Sequence, residues 1–124
     1  MSSFRELKVW QRSMQLTVAI YKLTQDFPHE EQYGLTHQIR RAAVSLPSNI
    51  AEGHGRLNTG EFRQFLGIAR GSNSELQTQL QIARELKMGK PSLIDEAENL
   101  SHEVGKMIYA ILESTKISQG NTDH

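Results

Sequence analysis

Arg40 to Arg56 reads RRAAVSLPSNIAEGHGR, and the way this stretch is taken decides the fold. With the residues just before it, it sets Leu35, Ile39, Ala42, Leu46 and Ile50 at the three- and four-residue spacing of one apolar helix face. Pro47 lies inside that pattern. A proline in a helix interior lacks the amide donor and clashes with the carbonyl four residues back, at roughly 3 kcal/mol. The spacing runs on across it, so the expectation is one essentially continuous helix kinked at Pro47, with the freed Ala43 carbonyl taken up by Ser45, Ser48 or water. Gly53 suits the left-handed position that ends a helix.

The polar residues of the stretch are also ordered. At about 100° per residue and with Ser45 at zero, Asn49 falls near +40°, Glu52 near −20°, Arg41 near −40° and Arg56 near +20°, whereas the apolar set lies at about +80° to +140°. The polar set therefore borders the core face. Ser72, Glu75 and Gln79 form a similar border on a later helix, and an antiparallel pairing would join the two as a seam. The seam residues are thus Arg41, Ser45, Asn49, Glu52, Arg56, Ser72 and Glu75. Such a seam can close within one subunit, meet a neighbouring subunit, or line a ligand site.

Working outward, three more periodic segments appear. The first places Leu7, Trp10, Met14, Val18 and Tyr21 on one face and stops near Pro28. The third begins after Asn58, which with Glu61 resembles a capping box; its apolar set is Phe62, Phe65, Leu66, Ala69, Leu76, Leu80 and Ala83. The fourth opens at Pro91 with Ser92 as its expected N-cap and carries Ile94, Ala97, Leu100, Val104, Met107, Ile108, Ile111 and Leu112. Short connections make successive helices antiparallel neighbours. The predicted architecture is all-α, an antiparallel up-down-up-down four-helix bundle over residues 1–117, with a flexible C-terminal tail at 118–124.

Composition narrows the chemistry. With no cysteine among 124 residues, thiolate metal sites, disulfides and cysteine nucleophiles are excluded. No segment reaches the roughly 20 apolar residues that span a bilayer, so a soluble, cytoplasmic protein without membrane contact is expected. The formal net charge is zero, but Thr36–Arg70 carries five basic and two acidic residues and Gly71–His124 five and eight. The five histidines form no i, i+4 pair and no Glu-x-x-His occurs, so no metal, cofactor or catalytic residue is indicated. Gly53-His54-Gly55-Arg56 before a helix start reads as turn chemistry, or as a small-anion loop lacking the spacing of a P-loop.

One surface feature points to a partner. Arg63, Arg70, Gln77 and Arg84 recur every seven residues on the third helix, and Arg40 projects from the second away from its core face. Such a line could track a phosphate backbone or pair with Glu96, Glu98 and Glu103 of another subunit.

The combination FRELKVWQRS, FPHEEQYGLTHQIRRAAVSLPSNIAEGHGR and FRQFLGIARGSNSELQTQL resembles the four-helix-bundle proteins encoded in intervening sequences of bacterial 23S rRNA genes, over roughly residues 4 to 112. The family motif falls on Arg40, Arg41, Ser45, Asn49, Glu52, Gly53 and Arg56, and on Gly71, Ser72, Glu75 and Leu76. The resemblance implies a ring-shaped homopentamer and does not imply an enzyme. The related accessory proteins of diversity-generating retroelements are similar pentamers that bind RNA and a reverse transcriptase through a basic surface, from which this chain differs in its neutral balance. The leading expectation is a non-enzymatic oligomeric scaffold without cofactor or small-molecule substrate. The alternative is an RNA-binding module using Arg40, Arg63, Arg70 and Arg84.

Overall fold

A computed structural model describes residues 3–116; the expected tail at 118–124 lies outside them. After a 3-10 turn at Phe4–Glu6, the chain forms α1 (Lys8–Thr24), a second 3-10 turn (His29–Glu31), α2 (Leu35–His54), α3 (Thr59–Glu85) and α4 (Pro91–Ser114), and no strand occurs among the described residues. Each helix packs against its neighbour in sequence, and α4 returns to α1. This is an antiparallel four-helix bundle with α1 and α3 on one diagonal.

The core is aliphatic. Leu16, Ile20, Leu23, Ile39, Leu46, Ile50, Leu66, Leu76, Leu80, Ile94, Val104 and Ile108 are all fully buried, each stabilising the fold by about 1.5–3 kcal/mol relative to an exposed side chain. The apolar faces expected of α2, α3 and α4 are the ones that turn inward. That of α1 is not. Met14, Val18 and Tyr21 are exposed, and Val9, Ser13, Leu16, Ile20 and Leu23 are buried instead, on a face rotated by about 140°. Both sets satisfy helical spacing, and the buried one was concealed because a serine interrupts it. Ser13 fits there because its hydroxyl donates to Trp10 O at 2.8 Å.

Local expectations at the helix ends are also adjusted. Asn58 caps α3 by accepting from Glu61 N at 2.8 Å, while its side-chain amide donates to the Glu61 carboxylate at 3.0 Å. The N-cap of α4 is Lys90, with Pro91 as the first helical residue. Gly53 does not end α2 in a left-handed conformation; α2 continues to His54 with Gly55 as its C-cap, and the positive-φ glycine is Gly89, between α3 and α4. Gly53 instead permits contact between α2 and α3, since a Cβ there would stand 2.8 Å from Phe65 Cβ and 3.2 Å from Phe62 Cδ1.

The helix runs on through Pro47. Its carbonyl problem is solved across the bundle, neither by Ser45 nor by Ser48: the buried Thr17 hydroxyl of α1 lies 2.9 Å from Ala43 O and 2.9 Å from Ser13 O, and its one proton serves both carbonyls. Thr17→Val keeps shape and removes the donor. Urea unfolding is expected to show a loss of about 1–2 kcal/mol, and Ser48→Ala almost none.

Candidate functional site

The seam between α2 and α3 assembles from residues that the antiparallel register places opposite one another. Ser45 and Ser72 Oγ atoms meet at 2.8 Å, and the Asn49 amide donates to Ser45 O at 2.8 Å and to Ser45 Oγ at 2.9 Å. Their small side chains let the helices approach closely. Glu52 and Arg56 pair at 2.8 Å along the end of α2, with the Arg56 guanidinium 4.7 Å above the Phe65 ring. This half of the seam is satisfied within the bundle.

The other half is open. Gln38, Arg41, Ala42, Ser45, Ser72 and Glu75 line a polar cleft of about 350 Å³. Arg41 makes no hydrogen bond or ion pair among the described residues, and Glu75 only accepts from the Gln79 amide at 3.4 Å. Gln79 itself is buried, and its Oε1 has no protein partner. The cleft thus presents a cation, an anion and two hydroxyls to whatever approaches it.

The arginine line of α3 has a different setting from the open flank expected of it. Arg63 donates to Leu112 O and, at 2.7 Å, to Thr115 Oγ1, so it holds the C-terminal turn of α4. Gln77 donates to Ser101 Oγ at 2.9 Å. Arg84 bonds both Asp95 and Glu98 at 2.8 Å; these bonds, that to Asp95 foremost, raise its pKa above the ordinary arginine value. Three of the four positions therefore face α4 of the same subunit, because the heptad spacing follows the α3/α4 seam. Arg70 remains exposed and has no partner among the described residues.

Arg40 does not project freely. Its Nε donates to Thr24 Oγ1 at 2.8 Å, and its guanidinium stacks 4.5 Å from the Tyr21 ring centroid, which binds α2 to α1. A buried network of Asn73 and Ser101 lies outside the seam expected from helical phase. Ser101 Oγ donates to Asn73 Oδ1 at 2.7 Å and Asn73 Nδ2 to Ser101 O at 3.0 Å. Their signal was a polar residue standing in phase with an apolar stripe on each of α3 and α4. Among the described residues no group of three or more His, Asp or Glu is placed to hold a metal, and no helix is long and apolar enough to cross a membrane.

A family model described as "23S rRNA-intervening sequence protein" matches residues 5–110. A solved structure from Bacteroides thetaiotaomicron VPI-5482, described as a protein with unknown function from the S23 ribosomal protein family, is similar with a TM-score of 0.75 and 22% identity, over 84% of this chain and 97% of its own. That likeness carries the fold. No curated protein matches.

Proposed function

The chain belongs to the 23S rRNA-intervening sequence protein family, and we propose that it acts without catalysis of its own, as a subunit that joins further copies in a homopentameric ring serving as a scaffold. One observation carries this reading: two unlike apolar strips lie on elements that are diagonal in the bundle. On α1, Met14 and Val18 are 37% and 48% exposed and edge a groove of about 500 Å³ shared with Leu100 of α4. On α3, Ile82 and Leu86 are 41% and 60% exposed and edge a groove of about 650 Å³ with Ser74 and Thr78.

Different patches on different sides favour head-to-tail contact, which closes into a ring when the rotation between subunits divides a full turn. Charged groups frame both strips: Lys22 and Glu96 beside the first, Glu85 beside the second. The open half of the α2/α3 seam, with Arg41 and Glu75, adds polar groups available to a neighbour.

Val18→Glu and Ile82→Glu each place a charge on one strip while leaving the core intact. Native mass spectrometry is expected to give a pentamer for the unaltered chain and monomers for either variant. Mixing the two variants is expected to restore one productive contact and yield a heterodimer, which a self-complementary interface would not do. A stable monomer of the unaltered chain at micromolar concentration would refute the reading.

A further inference from the structure

Eight arginines occur in the chain, and the structure sorts them by what holds them. Arg12, Arg56 and Arg84 have carboxylate partners, and Arg63 has a carbonyl and a hydroxyl. Arg5 lies over Phe4, and Arg70 stands alone on α3. Arg40 and Arg41 are different, because both line one cleft at the corner of α1 and α2. Its walls are Tyr21, Gln32, Thr36, His37, Arg40, Arg41 and Val44, and its volume is about 400 Å³. No carboxylate is among them.

Arg40 is positioned in advance. Thr24 is buried; its hydroxyl donates to Ile20 O at 2.8 Å and accepts Arg40 Nε at 2.8 Å. Tyr21 supports the guanidinium plane from one side. These contacts use Nε and one face, leaving both terminal nitrogens without a protein acceptor. Arg41 has no hydrogen-bond or ion-pair partner among the described residues and lines the same cleft from the next position on α2. A guanidinium fixed by a buried hydroxyl and an aromatic ring retains less rotamer freedom to lose on binding.

We propose that this cleft binds a phosphate monoester, its terminal oxygens bridging Arg40 and Arg41 and its ester body lying toward Tyr21 and Val44. Two guanidinia lining one cleft suit a tetrahedral oxyanion, which has oxygens to spare for both forks. The cleft falls within the range of small-ligand sites and exceeds the needs of the anion alone. A competitor for Arg41 is Glu75, which shares the neighbouring cleft with it. This proposal does not rest on the apolar strips that carry the assembly reading, although the two share Arg41.

The source of the phosphate, a free nucleotide or the end of a nucleic acid strand, is separated by the choice of probe. Isothermal titration with inorganic phosphate and AMP is expected to show one site per chain, with acetate much weaker. Losing a charge-assisted contact is expected to weaken AMP roughly tenfold or more in Arg40→Gln and in Arg41→Gln, while Arg70→Gln binds as the unaltered chain does and Glu75→Gln binds more tightly. Arg41 is exposed and makes no hydrogen bond or ion pair among the described residues, so its variant tests binding with little effect on the fold. A 5′-phosphorylated oligonucleotide that binds more tightly than AMP and than its 5′-hydroxyl counterpart assigns the site to strand ends; one that binds no more tightly than AMP assigns it to free nucleotides. The proposal is overturned by absence of binding at millimolar phosphate and AMP, by equal binding of acetate, by equal binding of both oligonucleotides, or by an Arg70→Gln loss as large as that of Arg41→Gln.

Discussion

Gly53→Val is expected to lower the stability of the fold by about 3 kcal/mol, at the upper end of what overpacking costs, with a fall in Tm of about 10 °C. The cause is the approach of α3. A Cβ at position 53 would stand 2.8 Å from Phe65 Cβ, 3.2 Å from Phe62 Cδ1 and 3.3 Å from Phe62 O. The Phe65 Cβ and the Phe62 carbonyl sit on or next to helix backbone and cannot swing aside. The alanine variant tests the sign: helix propensity alone predicts that Gly53→Ala gains about 1 kcal/mol, whereas the contact predicts a net loss. Gly67→Ala is the control, because nothing lies within 4 Å of its would-be Cβ. There the propensity gain of about 0.5–1 kcal/mol should appear in full. If thermal melts stabilised both variants alike, close packing at Gly53 would not be limiting.

Asn73→Ala is expected to cost about 2–3 kcal/mol in urea unfolding. Asn73 and Ser101 are buried and satisfy each other in both directions, and Gln77 donates to the same Ser101 hydroxyl. Removing one amide leaves the hydroxyl without its acceptor and opens a small void against Gly105. The cost belongs to the mismatch as much as to the lost bonds. Asn73→Leu combined with Ser101→Ala should therefore recover more than half of the loss, since replacing both partners with apolar groups is close to neutral. A double variant worse than the sum of its singles would show that the two residues do not act as a pair.

The recurrence of apolar residues made most of the architecture legible before any coordinates. On α2, α3 and α4 one strong stripe has no rival, so Ile39, Leu46, Leu66, Leu80, Ile94 and Val104 were recognisable as core. On α1 two stripes compete. Met14 and Val18 compete with Leu16 and Ile20 at equal helical spacing, and choosing between the two faces requires the surfaces of α2 and α4. The polar seam was half legible: helical phase put Ser45 and Asn49 beside Ser72, but phase gives no distances. It therefore could not separate Glu52–Arg56, paired along one helix, from Arg41 and Glu75, which do not meet. The arginine spacing on α3 marks a seam with α4, which spacing alone does not distinguish from an outer surface, because a heptad line can equally mark either.

The sequence by itself determined four helices, their order, their antiparallel succession and three of the four buried faces, because these follow from local spacing and short connections. Only the tertiary structure decided which face of α1 turns inward, that Thr17 answers the carbonyl freed by Pro47, why position 53 must be glycine, and which arginines remain available. Each of these depends on a distance between residues far apart in the chain. Helical periodicity fixes direction around one axis, and such distances arise only when two axes are brought together.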